Sequence, residues 1–354
     1  ASLAAYSFGV PIRRLVTSVA IGLGAGTSSV VARALGSNKR RRARRLSTDS
    51  IILSFLITAI VAGIGVVTID PLFRLLGASE DLLPLIQSFM TILYIGVPFI
   101  VVGMVGMASM RATGDTRLPG KLMVISSLLN IILDPILIFG IGPIPALGLD
   151  GAALAALIAR GAIFVGTVYF LRVRSRLLVL SWPRRDVMFR SWRDILHVGL
   201  PAAGTNIIVP LGATIVTAMI ASFGTEAVAG FGVASRIETM MLVLYYAMSS
   251  IIGPFVGQNL SAGKEDRILR SLWLCSVFCI ASGLGIAMLL AALSGILPGL
   301  FSDDADAIRV TQLFLWIVPV SYGPYGMVMV MNAAFNGLGK PMPGVWISLV
   351  RILA

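Results

Sequence analysis

Three oxygen-bearing side chains, Ser127, Asn130 and Asp134, recur at spacings of three and four residues. On a helix such spacings fall on one face. A hydroxyl, a carboxamide and a carboxylate in one stripe have the chemistry of a small-cation site, able to take up a proton or Na⁺ on oxygen. Their surroundings make the pattern informative. The stretch Gly120–Gly142 is otherwise apolar and long enough to cross a bilayer, which takes about 20 residues. A carboxylate at that depth costs about 2.5–3.5 kcal/mol on insertion scales, so Asp134 should face a bundle interior or a wet cavity. Pro135, next in the chain, should bend the helix at that point.

Few other residues offer chemistry. Glu238 is the second acid expected at depth, with Arg236 beside it and Arg13 and Arg14 at the matching place in the first half. Neighbouring Arg and Glu within a span usually neutralise each other, so a structural or gating ion pair is expected, with a role in a substrate cavity as the sharper alternative. Met104 and Met107 on one helix, and Met327 on its counterpart, supply flexible thioethers of the kind that suit a promiscuous cavity. Cys275 and Cys279 lie i, i+4 in an apolar helix and read as packing residues. Asp303, Asp304 and Asp306 read as a solvated turn. With one histidine, His197, and no Walker or HExxH motif, neither a zinc protease nor a nucleotide-driven pump is indicated, and no cofactor is implied.

The elements that must position these residues follow from composition. The chain has 354 residues, 57% hydrophobic and 12% charged, with a mean hydropathy of +0.94. That profile belongs to an all-α polytopic membrane protein. About nine full spans are expected, at 3–34, 46–69, 82–110, 119–142, 149–172, 194–222, 226–258, 267–297 and 307–336, with a partial one from 343. The net charge of +12 does not point to nucleic acid, because the basic residues cluster between apolar runs. Twenty of them fall on one side, among them Lys39, Arg40, Arg41, Arg42, Arg44 and Arg45, against only Arg74 and Arg309 on the other. The positive-inside rule puts the basic loops in the cytoplasm of a multi-pass protein of the cell (inner or plasma) membrane. The bilayer is then the partner the chain requires, and a monomer is expected. The basic stretch 173–193, with Trp182 and Trp192, reads as an interfacial linker between two lobes, 1–172 and 194–354.

The halves repeat. LGSNKRRRA at 35–43 matches LSAGKEDRI at 260–268, and LIQSFMTIL at 85–93 matches VTQLFLWIV at 310–318, both at an offset of 225 residues. An offset covering an even number of spans relates two halves in the same orientation, about an axis along the membrane normal. Each half should have six spans, so the first helix of the first lobe and the last helices of the second are expected to lie outside this chain.

ASLAAYSFGVPI at 1–12, IGLGAGTSSVVARALG at 21–36, RATGDTRLP at 111–119, NIILDPILI at 130–138, GLDGAALAA at 148–156, RIETM at 236–240, VGQNLSAGK at 256–264 and FNGLGKP at 335–341, in this order, resemble the multidrug and toxic compound extrusion (MATE) family. The resemblance covers almost the whole chain. It implies two pseudo-symmetric six-helix lobes and export of organic cations or drug-like compounds by alternating access, coupled to H⁺ or Na⁺. One branch of that family couples through carboxylates on the first and fourth helices of the C-terminal lobe; the corresponding spans here carry acids only at their ends. Another uses an Asn and an Asp four residues apart on the fifth helix, which Asn130 and Asp134 match. That branch also uses an Asp on the first helix, which this chain lacks, and a Thr on the sixth, where Ala156 stands. The missing oxygens favour H⁺ over a complete Na⁺ site at Asp134 and Asn130. The alternatives are a lipid-linked oligosaccharide flippase of the same architecture, which would need basic residues such as Arg13, Arg14, Arg160 and Arg236 in its cavity, and a membrane-embedded enzyme, which would need convergent catalytic groups.

Overall fold

The computed structural model describes residues 2–75, 80–140, 145–179, 181 and 184–353. Trp182 of the basic linker lies outside the described residues. Among the described residues twelve α-helices follow one another: α1 (Ser2–Gly36), α2 (Arg40–Val67), α3 (Ile69–Leu75), α4 (Leu83–Arg111), α5 (Arg117–Phe139), α6 (Gly148–Val173), α7 (Arg185–Ala221), α8 (Thr225–Ser261), α9 (Glu265–Leu293), α10 (Ala305–Ile317), α11 (Tyr322–Leu338) and α12 (Met342–Leu353). Helix is the only lipid-compatible solution for open segments, because each backbone donor and acceptor is satisfied within the segment. Among the described residues nine stretches are long and apolar enough to cross a membrane, α10 and α11 together making the ninth.

Prolines act unequally. Pro98, Pro135 and Pro254 sit inside unbroken helices. Around Pro319 the α-helix gives way to a 3₁₀ turn, Val318–Ser321, which separates α10 from α11. The expected bend at Pro135 is therefore not a break: α5 stays helical to Phe139 and ends at Gly140, whose φ of 75° is open to glycine.

The repeat read from sequence is present in the helices themselves. Adding 225 to the first residues of α2 and α5 gives those of α9 and α12, Glu265 and Met342. The chain divides into two compact units, residues 1–203 and 204–354. In the first, α4 is central and packs against α1, α2 and α6, while α5 lies on α6. In the second, α11 packs against α8 and α9, and α10 against α8. Small residues let these backbones approach, the usual basis of helix association in lipid. A Cβ on Gly26 would meet the Ile195 carbonyl, and one on Gly22 would meet Gly199 and Ala203, so α1 seats the start of α7. Gly230 against Ala307 and Gly337 against Gly253 do the same in the second unit.

Two stretches differ from the sequence reading. The residues after the second span hold the short helix α3, anchored by buried Ile69 and Phe73. The basic linker is partly helical, because α7 begins at Arg185, well before the apolar run at 194. It is also docked rather than only interfacial. Val179 N–H donates to Thr48 Oγ1 at 2.9 Å, Arg45 Nη1 to the Ser181 carbonyl at 2.9 Å, and Trp192 Nε1 to the Asp49 carbonyl at 3.1 Å.

Candidate functional site

Helix α5 carries the polar stripe, and its seat on α6 is set by identifiable contacts. Gly151 lies so close to the Leu137 carbonyl that a Cβ there would strike it. Leu147 N–H donates to the same carbonyl at 3.0 Å. Further along, Ser126 Oγ donates to the Ala159 carbonyl at 2.8 Å. These contacts run the two helices antiparallel and place Asn130 and Asp134 alongside the stretch 152–158 of α6. Asn130 Nδ2 donates to Asp134 Oδ1 at 3.1 Å, and both side chains are half-buried. Ser127 is exposed on α5; the buried serine of this helix is its neighbour Ser126, which does the packing. The structure thus joins two of the three stripe residues directly.

On an adjacent face of α6 a small open cleft of about 60 Å³ lies among α1, α4 and α6. Its lining is mostly apolar, with the small residues Gly96, Ala152, Ala153 and Ala156 beside Ile92, Leu93 and Leu157, and with Phe89 as its aromatic member. Two arginines line it as well: Arg13 from α1 and Arg160 from α6. Arg160 sits twelve residues past Gly148, about 18 Å along the helix, and so well inside the span. Ala156, the residue standing at the position of the expected Thr, belongs to this cleft and lies at the depth of Asn130 and Asp134.

The remaining expected site residues are scattered. Met107 is buried, and Met104 is half-buried against the core of the first unit. Met327 packs against the core of the second. Glu238 on α8 is half-buried, whereas Arg236 and Arg14 are exposed. The ion pair expected between Arg236 and Glu238 is not formed: residues two apart on a helix do not face each other, and ion pairs are found instead at Arg42–Asp194, Arg45–Asp49 and Arg74–Glu80. Cys275 and Cys279 are free thiols, as their spacing implied. Asp304 serves as the N-cap of α10, accepting from Ala307 N–H at 2.8 Å.

One buried charge escaped the sequence reading. Asp49 of α2 is fully buried and bridged by Arg45 one turn earlier, with Arg45 Nε donating at 3.1 Å. The i, i+4 spacing was the available signal, hidden by the run of basic residues that opens α2.

Comparison with known proteins gives a consistent picture. The MatE family profile matches residues 1–136 and 201–354. A Shewanella oneidensis protein named FAD transporter is 37% identical over 352 residues, covering 99% of this chain and 78% of its own length. The probable multidrug resistance protein YoeA of Bacillus subtilis is 25% identical over 360 residues, covering 100% and 76%. Among solved structures, a crystal structure of a mutant of the Vibrio cholerae MATE transporter VcmN superposes with a TM-score of 0.94 at 31% identity, covering 99% of this chain and 78% of that one.

Proposed function

Because this chain belongs to the MatE family, whose members are membrane transporters and not enzymes, we propose that it drives export of its cargo by coupling to H⁺ or Na⁺ at Asp134 and Asn130. The observation that carries the reading is the Asn130–Asp134 hydrogen bond at 3.1 Å inside a membrane-spanning helix. An intramembrane carboxylate is costly even when a carboxamide holds it, and such groups mark ion pathways.

The mechanism follows from charge. With Asp134 anionic, the stripe requires polar surroundings. A cation arriving from outside neutralises it and lowers the cost of repacking α5 around Pro135 against α6. Ion and cargo then favour different conformations, and each weakens the hold of the other through reciprocal linkage. The basic helix starts and linker face the cytoplasm in this reading, following the positive-inside bias.

The cargo is an organic compound of the kind multidrug exporters carry, with organic cations as the family expectation. A second reading, a flavin dinucleotide, is favoured by the 37% identity to the Shewanella protein of that name. Full-length protein in proteoliposomes tests both. An imposed proton or sodium gradient should drive efflux of a fluorescent organic cation or of FAD, and the effective gradient names the ion. Absence of movement of either compound under both gradients would contradict the proposal.

A further inference from the structure

The geometry points to the cleft among α1, α4 and α6 as the site that holds a phosphate or similar anionic group of the cargo, gripped by Arg13 and Arg160. The inference rests on the transport reading above and names the residues that would select the cargo. Arginine inside a span is rare and tends to mark a ligand or ion path. Here two arginines from different helices line one cleft, and Arg160 lies well inside its span. Each already has a partner of its own within the protein, so an incoming anion would take the remaining donors of the two five-donor guanidinium groups. No carboxylate stands among the lining residues. Asp150, one turn nearer the start of α6, accepts a hydrogen bond from Ser88 Oγ.

The rest of the wall is apolar, which suits an anionic group carried on an apolar body that extends out of the cleft. The guanidinium presents a planar fork of donors matched to phosphate or carboxylate oxygens. Gly96, Ala152, Ala153 and Ala156 keep the cleft open, and Phe89, buried in the core of the first unit, backs its apolar side. The cleft also lies at the depth of Asn130 and Asp134, across α6, so an anion there and a cation at Asp134 occupy neighbouring sites of opposite sign. Phosphate could be presented by a soluble compound or by a phospholipid headgroup.

Flavin probes separate charge from shape, because riboflavin and FMN share one ring system and differ by a phosphate. Full-length protein in nanodiscs of zwitterionic lipid should bind FMN about tenfold or more tighter than riboflavin, read by flavin fluorescence. Arg13→Gln and Arg160→Gln should each cut that preference, the double variant should abolish it, and Arg13→Lys/Arg160→Lys should keep part of it. In a second arm, nanodiscs containing phosphatidylglycerol report the lipid source: competition with FMN, or lipid retention that depends on the two arginines, assigns the site to a headgroup. Equal affinity for FMN and riboflavin, or an unaltered preference in the double glutamine variant, overturns the inference. So does the absence of flavin binding together with lipid retention unchanged by the double variant. Gradient-driven dye export on the same preparations keeps the two readings apart. Export with no arginine-dependent anion preference sinks this inference alone. Arginine-dependent FMN binding without export of any compound sinks the transport reading alone.

Discussion

Removing the Asp49 carboxylate should destabilise the first unit more than any comparable surface change. Asp49 is fully buried, and the Arg45 side chain is only 15% exposed. Asp49→Ala leaves the guanidinium without its counter-charge while Arg45 still holds the linker through the Ser181 carbonyl. Removing one partner of a buried pair costs about 3–5 kcal/mol. The lower end applies here, about 3 kcal/mol, because Arg45 retains the Ser181 carbonyl and some solvent. For a unit of about 200 residues, each kcal/mol moves Tm by about 2–4 °C, so a drop of about 6–12 °C is expected in detergent-solubilised protein. Replacing both partners, as in Arg45→Met/Asp49→Leu, should recover most of that loss, since two apolar groups leave no orphaned charge. A thermal-shift series on wild type, both single variants and the double variant checks this. A neutral Asp49→Ala, or a double variant no better than the single, would refute the reasoning.

Three further outcomes follow from the packing. Gly151→Ala puts a methyl against the Leu137 carbonyl and should cost about 1–3 kcal/mol in thermal stability, while Gly161→Ala on the same helix meets nothing within 4 Å and should be neutral or slightly stabilising. Ser126→Ala removes the Ser126–Ala159 hydrogen bond between α5 and α6 and should cost about 0.6 kcal/mol, within the 1.7 kcal/mol maximum seen for such bonds, read in the same assay. Tyr322→Phe should be neutral or stabilising, because its buried hydroxyl has no hydrogen-bond partner among the described residues.

Much of the architecture was legible because lipid imposes length and hydropathy on every span. Eight of the nine expected spans match single helices to within a few residues at their apolar ends, and the repeat offset of 225 recurs in the helix starts. What hydropathy could not read is polar helix. The segment 185–193 belongs to α7, and Arg40–Arg45 open α2 rather than form a loop, because helical hydrogen bonding continues past the membrane-depth residues. The Asn130–Asp134 contact was readable from an i, i+4 spacing. The cleft was not: Arg13 and Arg160 are 147 residues apart in sequence, and only the packing of α1, α4 and α6 brings them to one surface. Arg236 and Glu238 failed as a pair for the complementary reason, since proximity in sequence does not give a shared face.

The central claim is that Asp134 is where the ion acts. Full-length wild type and Asp134→Asn, reconstituted side by side, should bind an organic dye with similar affinity, because the amide keeps the shape of the side chain and its contact with Asn130. Only wild type should convert an imposed ion gradient into dye efflux. If Asp134→Asn still couples efflux to the gradient, the stripe on α5 is structural and the account fails.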